Sequence, residues 1–422
     1  MRPIMARRAG NGRGFPTRRP ATPSAARGAT IAGDALPGRS PEESRPLAAY
    51  AETAAVKSLV ALSGGVDSSV AAAVMAEAGH EVVGVTLVQW LPLAGCEHGC
   101  CGCGDLEDAR RVAAQLGIAH HTLDYTDVFC RAVIRPFAAA YRLGLTPNPC
   151  IECNRRVRFG ALAEEAERLG FDALATGHHA RIRRSPDGFH LLRGADPAKD
   201  QSYVLFMLGQ ERLPRLAFPV GEMSKDEVRR RARGLGLSTA DKAESQDLCF
   251  VGPGGYREFL REQFPETAAP GAILDTSGQE IGRHDGVAGF TVGQRRGLGV
   301  ALGEARYVVA IRPDTATVVV GGRNDLLAAG CRVGEVSWVA GRPPEDDGLE
   351  VKVRYRSPAA AARLEAGAAG EWRVWFGEPQ AAVTPGQAAV LYRGDEVVGG
   401  GTILEALPTV PGGSGPPSMG SP

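Results

Sequence analysis

The 422-residue chain balances 48 Lys or Arg against 48 Asp or Glu and is 44% hydrophobic, enough for two or three domains with real cores. No apolar run reaches the roughly 18 residues of a membrane span, and the opening segment has no hydrophobic stretch of a secretory signal, so a cytoplasmic protein without membrane contact is expected. The zero net charge hides an asymmetry, because residues 1–57 hold ten Lys or Arg and four acids, leaving 38 against 44 over the rest. A nucleic acid would have to be held by local patches such as Arg155-Arg156-Arg158, Arg229 to Arg233, Arg295-Arg296 and Arg354-Arg356. Nine cysteines are too few for a disulfide scaffold in a chain this long. Their clustering at 96 to 103 and at 150 and 153 suggests thiol chemistry or metal binding.

In chain order, residues 1–55 are rich in Arg, Ala, Pro and Gly and are expected to be disordered. Such a start is either an organelle transit peptide, which would make the protein organellar, or translation assigned too far upstream. Leu59 to Leu62 reads as a buried strand and Ser68 to Ala78 as a helix that Gly79 terminates. Val82 to Val88, His121 to Tyr125 and Ala173 to Ala175 read as further strands, with helices at Asp105 to Leu116 and Ala161 to Leu169. Strands alternating with helices predict an α/β domain over 56–260 with a Rossmann-like parallel sheet and ligands at the carboxyl ends of its strands. Beyond it, short β runs at Tyr307 to Ile311, Ala316 to Val320, Val351 to Tyr355, Trp372 to Phe376 and Ala388 to Tyr392 predict a central β-rich module, 261–323, and a C-terminal β-barrel, 324–407. Residues 408–422 read as a disordered tail.

Between the first strand and helix lies Ala61-Leu62-Ser63-Gly64-Gly65-Val66-Asp67-Ser68, a glycine-rich turn whose amides can converge on an anion at a helix N-terminus. It lacks the Lys-Ser/Thr of the common nucleoside-triphosphate loop and has Asp67 instead. An Asp there suits Mg2+ on a pyrophosphate, in an enzyme that splits ATP between its α and β phosphates. The segment resembles the signature of the PP-loop ATP pyrophosphatases.

Two cysteine stretches follow. Asn148-Pro149-Cys150-Ile151-Glu152-Cys153-Asn154 opens into a basic helix, so the helix dipole, Arg155 and Arg156 are expected to lower the Cys153 thiol below about 8.5 and make it reactive. In Ser245 to Gly252, Cys249 taken alone reads as a buried small hydrophobe. Cys96, Cys100, Cys101 and Cys103 are crowded for one tetrahedral zinc site and read as a loop with incidental thiols.

Together with Ala175 to His178, Lys199 to Tyr203, Gly289 to Gly299, Arg354 to Arg356 and Val383 to Gln387, these stretches resemble the tRNA-specific 2-thiouridylase family from about 57 to 407. The resemblance implies adenylation of the wobble-uridine oxygen by ATP with Mg2+, then replacement by sulfur. It implies an ATP site at Ala61 to Ser68, Leu87 and Gly177, with Asp67 on the metal. It makes Cys153 the nucleophile and Cys249 the persulfide carrier, loaded by a sulfur-relay or cysteine desulfurase protein. Turnover would leave a Cys153–Cys249 disulfide for a reductant to open. Contacts with the tRNA anticodon stem-loop map to Asn148, Pro149, Cys150, His178, Lys199, Asp200, Gln201, Arg354, Tyr355 and Gln387. Some family members have Asp where Cys150 stands, so a [4Fe-4S] cluster on Cys150, Cys153 and Cys249 is an alternative. Another PP-loop synthetase, or a thiolase acting on a different base, is the other.

Overall fold

The computed structural model describes residues 55–90, 103–244, 248–300, 305–345, 348–368 and 370–409. The expected disordered ends lie almost wholly outside this range, as do Cys96, Cys100 and Cys101. Among the described residues, no helix is long and apolar enough to cross a membrane.

The N-terminal part holds strands β1 (Lys57–Ala61), β2 (Glu81–Val88), β3 (Ala119–Asp124), β4 (Ala173–Thr176), a hairpin of β5 (Ala180–Ser185) and β6 (Gly188–Arg193), and β7 (Leu216–Ala217). Its helices are α1 (Val66–Glu77), α2 (Cys103–Leu116), α3 over 126–142, α4 over 149–168, α5 (Lys225–Gly234) and α6 (Gly255–Gln263). Five strands form a parallel sheet in the order β3-β2-β1-β4-β7. Side chains alternate along β1, and both faces are apolar. Leu59 packs with Phe129, Val157 and Leu162 of α3 and α4, whereas Val60 packs with Ala72, Met75 and Ala113 of α1 and α2. The chain leaves β1 for β2 and β3 on one side and returns to β4 on the other. The carboxyl end of β1 is therefore the switch point at which such sheets bind ligands.

The helix expected from Ser68 begins two residues earlier, because Gly65 takes the extended N-cap conformation. The helix expected at Ala161 is only the end of a longer one that starts at Pro149. Its stretch Cys153–Leu162, like Cys130–Ile134 of α3, is wound with the wider hydrogen-bond spacing of a π-helix.

The central module is a four-stranded sheet of β8 (Gly271–Asp275), β9 (Glu280–His284), β10 (Tyr307–Arg312) and β11 (Thr317–Gly321) around Ile273, Val308 and Val318. The last part contains β12 (Leu327–Trp338), β13 (Leu349–Lys352), β14 (Ala360–Ala366), β15 (Trp372–Ala381), β16 (Ala388–Arg393) and β17 (Glu396–Pro408). These six strands form an antiparallel barrel that closes where β12 pairs with β17. Three register shifts along that seam bend the long strands enough to meet.

The barrel is joined to the α/β domain by backbone pairing. Leu191 and Leu192 of β6 pair with Val397 and Glu396 of β17, so the N-terminal hairpin extends the barrel sheet. A second junction lies beside Asn148. Thr146 donates its amide to the Pro385 carbonyl (2.9 Å) and accepts from Gln387 Nε2 at its own carbonyl (2.8 Å). Gly386, at φ +91°, has no room for a Cβ there, which would stand 2.8 Å from the Thr146 nitrogen.

Candidate active site

The chain leaves β1 at Ala61, turns through Leu62 to Gly65 and enters α1 with no side-chain cap. The first-turn amides are thus left for an anion. Ser68 braces the turn, its hydroxyl accepting from the Ser63 amide (3.1 Å) and donating to the Gly65 carbonyl (3.0 Å). Gly64 has φ +72°, and an added Cβ would sit 2.1 Å from the Asp105 carbonyl oxygen of α2. Gly177, just after β4, lies against the start of α1, where an added Cβ would be 2.5 Å from the Ser68 nitrogen. Leu87, near the carboxyl end of β2, is half-buried at the same edge. The residues expected to hold ATP therefore gather along the carboxyl ends of β1, β2 and β4.

A lysine from elsewhere in the chain stands beside the loop. Lys225, 8% exposed at the start of α5, donates to both Asp67 carboxylate oxygens at 2.9 and 2.8 Å. His179 Nε2 lies 3.2 Å from Asp67 Oδ1, and its buried Nδ1 has no partner. Burial alone would raise the Asp67 carboxyl; hydrogen bonds from His179 and Lys225 outweigh it and hold the group below its ordinary range. Lys242 Nζ donates to the Gly64 carbonyl at 2.9 Å and to Asp105 and Asp108 at 2.5 Å each. An uncapped helix, a cradle with no room for a Cβ and two nearby lysines fit the pyrophosphate of ATP; Asp67 is the loop's carboxylate, and Mg2+ there would take the place of Lys225 on it. Sequence reading passed over Lys225, Lys242 and His179. The Ser224-x-x-Glu227 capping box does mark Lys225 as the first residue of a helix.

The cysteines meet at the same sheet edge. Asn148 caps α4, its Oδ1 accepting from the amides of Cys150 (3.1 Å) and Ile151 (3.4 Å). Cys150 is exposed, while Cys153, one turn later, is 5% exposed and accepts a 3.6 Å hydrogen bond from Gln89, the residue after β2. The expected acidity of Cys153 is overturned. Burial raises its thiol above the ordinary value, and Arg158 and Gln89 offset this only in part. Arg155 and Arg156 do not serve the thiol because both lie against Glu152, at 3.8 and 2.8 Å.

Cys249 is exposed rather than buried, while its neighbour Phe250 is fixed among Phe129, Phe137 and Phe259 with ring centroids 5.2–5.8 Å apart. Cys249 lies near enough to both Cys150 and Cys153 for its charge to raise their thiols, after burial as the larger cause. Cys150, Cys153 and Cys249 are all free thiols, with no disulfide between them. Nor, among the described residues, is any group of three or more His, Cys, Asp or Glu arranged to hold a metal ion. The three thiols thus lend no geometric support to an iron–sulfur cluster.

The expected RNA contacts fall into two groups. Asn148, Cys150, Arg354 and Tyr355 retain accessible surface, Cys150 and Arg354 exposed and Tyr355 half-buried beside the Tyr203 ring (5.9 Å). Pro149 is buried under the start of α4. His178 is buried against Phe159 and Phe218, and its Nδ1 lies 2.7 Å from the Thr176 hydroxyl. Burial, then Arg158, pushes its pKa down to about 3, so the ring is neutral and presents no face to RNA in this structure. Asp200, 8% exposed, accepts from the amides of Gly194 and Ser202. Gln201 accepts from the His179 amide, Lys199 pairs with Glu244 at 2.7 Å, and Gln387 is committed to Thr146.

Residues 56–253 match the family model described as the tRNA methyl transferase HUP domain. Residues 257–322 match the tRNA methyl transferase PRC-barrel domain, and 328–403 the aminomethyltransferase beta-barrel domain. The tRNA-specific 2-thiouridylase MnmA of Chloroflexus aurantiacus is 51% identical over 352 residues, 82% of this chain and 97% of that one. Its counterpart in Moorella thermoacetica is 47% identical over 351 residues, 82% of this chain and 98% of that one. A solved 4-thiouridine synthetase–RNA complex with bound ATP is 20% identical, covers 50% of this chain and 51% of its own, and reaches a TM-score of 0.32, too slight a likeness to bear on function. Identity near one half across almost the whole of these curated relatives decides the family: the chain belongs to the tRNA-specific 2-thiouridylases of the MnmA type.

Proposed function

We propose that the chain is a tRNA-uridine 2-sulfurtransferase that thiolates the wobble uridine of tRNA at the expense of ATP, yielding 2-thiouridine, AMP and pyrophosphate. The observation that carries this reading is the meeting of a glycine-rich anion cradle and a buried cysteine at one sheet edge, with Gln89, at the end of β2, bonded to Cys153. The matching family models are described by methyl transfer, a reaction with no use for such a pair of sites. The relatives are named thiouridylases.

The 2-oxo group of uracil is a poor leaving group. ATP supplies the adenylyl group: the oxygen takes the α-phosphoryl group and pyrophosphate leaves, so that AMP can depart later with that oxygen; Asp67 would hold the Mg2+ that neutralises the phosphates. Gly64, Gly65 and the first-turn amides hold the phosphates, and Lys225 adds the charge that the loop itself lacks. Cys249 carries a persulfide delivered by a sulfur-donor protein. In one order, the Cys153 thiolate attacks the Cys249 sulfur and releases hydrosulfide, which adds at C2 and expels AMP. In the other, the persulfide adds at C2 first and Cys153 then cleaves the sulfur–sulfur bond. Both end in one Cys153–Cys249 disulfide, which a dithiol must reduce with two electrons.

A buried, protonated Cys153 is protected from oxidation between turnovers, while Arg158 and Gln89 already favour its thiolate. A base within an anticodon loop must be turned out to reach Cys153, and Asn148, Arg354 and Tyr355 keep accessible surface that RNA can contact.

The test is mass spectrometry of nucleosides from tRNA incubated with the protein, ATP, Mg2+ and sulfide. The expected result is 2-thiouridine at the wobble position, formed only with ATP. Absence of thionucleoside, or its formation without ATP, overturns the assignment.

A further inference from the structure

Asp67 is held from two sides by groups of different kinds. Lys225 spans both carboxylate oxygens at 2.9 and 2.8 Å, whereas His179 meets only Oδ1, through Nε2 at 3.2 Å. An ionised carboxylate can only accept, so the proton of that bond lies on Nε2 of the histidine. The other ring nitrogen, Nδ1, is buried with no partner among the described residues. A polar atom buried unpaired costs free energy that an apolar side chain would avoid, so what the ring contributes here is its bond to Asp67. The backbone around it is fixed as well. Gln201 Oε1 accepts from the His179 amide (3.0 Å), the His179 carbonyl accepts from the Gln201 amide (2.9 Å), and the residue is 2% exposed.

A Mg2+ ion on Asp67 would affect the two partners unequally. The lysine ammonium repels the ion and occupies both oxygens, so it must withdraw, toward Glu244 at 2.8 Å and the phosphates. Imidazole donates from Nε2 even when uncharged, so it can keep Oδ1 while Oδ2 takes the metal. We propose that His179 is a positioning residue for the metal of the nucleotide site: its Nε2–H fixes one oxygen of Asp67 and so aims the other at Mg2+. The inference rests on the function proposed above and deepens it by naming the group that orients the metal's carboxylate.

The test uses the full-length protein and measures by calorimetry the affinity for α,β-methylene-ATP, once with Mg2+ and once with EDTA. In the wild type Mg2+ should strengthen binding. In His179→Leu that strengthening should shrink about tenfold, the ordinary cost of losing the group behind a metal ligand, while affinity in EDTA stays within about twofold of the wild type. His179→Gln, whose amide can donate from the place of Nε2, should recover most of the effect. His179→Asn ends short of Asp67 and should not, and it takes the place of the leucine variant if that chain fails to fold. A wild type indifferent to Mg2+ overturns the inference, as does a His179→Leu protein that keeps the full Mg2+ effect. Affinity that falls equally with and without the metal also overturns it, because the ring would then only pack. The wild type gives a check that needs no variant: with 15N-histidine protein and Mn2+ as the metal, pulsed electron paramagnetic resonance should show no histidine nitrogen bound directly to the ion. A directly bound nitrogen would make the residue a ligand and overturn its positioning role. Failure of the wild type to bind the analogue at all, or to form 2-thiouridine in the assay above, would instead overturn the proposed function, so the two failures are distinguishable.

Discussion

The phosphate loop and the sulfur site lie at one sheet edge but are built in opposite ways. The loop is contiguous, Ala61 to Ser68, and works through backbone amides and the absence of side chains, so its chemistry follows from local conformation. The sulfur site draws Cys150 and Cys153 from α4, Gln89 from the end of β2 and Cys249 from a distant segment, and the acidity of Cys153 is set by what buries it. A local site can be read from its residues; an assembled one depends on packing that no short stretch specifies.

The sharpest test of this contrast removes one thiol at a time. Cys153→Ser and Cys249→Ser should each lower thiolation by about a thousandfold or more, because a serine hydroxyl neither carries sulfane sulfur nor replaces a thiolate. Filter binding should show tRNA affinity unchanged. A single mutant with full activity would show that these cysteines are not the site of sulfur transfer.

The next effect is smaller and falls on the other site. In Gly177→Ala the new methyl would stand 2.5 Å from the Ser68 nitrogen and 2.6 Å from the Asp67 carbonyl carbon, both backbone atoms that cannot swing aside. The overpacking should cost about 1–3 kcal/mol of stability and displace the first turn of α1, weakening nucleotide binding about tenfold or more. Calorimetry with an ATP analogue measures the affinity, and urea unfolding the stability. Unchanged nucleotide affinity would separate Gly177 from the ATP site.

Much of the fold was legible because its signals are periodic. The strand at Leu59, the helix after Gly65 and the alternating elements to Ala175 follow from apolar spacing, and glycine-punctuated β runs announced the barrel. Less legible was what tertiary contact decides. The β5–β6 hairpin belongs to the N-terminal half by sequence but adds to the barrel by pairing, because Leu191 and Leu192 bury against it. Lys225 and His179 reach Asp67 from positions 158 and 112 residues away, distances at which no motif spacing operates. Motif resemblance placed RNA contacts at His178 and Asp200, but burial turns His178 into an aromatic-core residue and Asp200 into the brace of a turn.

Thiol acidity is where the two kinds of site differ most, and pH tests it most finely. A helix start beside two arginines suggested an acidic Cys153, but Glu152 takes both arginines and burial moves the thiol the other way. With its folded-state value raised above the ordinary 9.0, Cys153 keeps its proton at neutral pH and loses it only in stronger alkali than a free cysteine requires. Its alkylation rate should therefore still be climbing at pH 9, where that of an unstructured cysteine peptide is levelling. The same raised value has a consequence for stability. Below about pH 9 both folded and unfolded chains hold the proton and the contribution is intact; above it the unfolded chain releases its proton first, and stability declines as pH rises further. Arg158 pulls the thiol downward, so Arg158→Gln should raise it further and slow alkylation at pH 8 by a few-fold, since a thiol whose pKa climbs by one has about a tenth of the thiolate. A Cys153 rate that levels off below pH 8 would mean that charge, not burial, governs the nucleophile, and the sulfur site would then be as local in its chemistry as the phosphate loop.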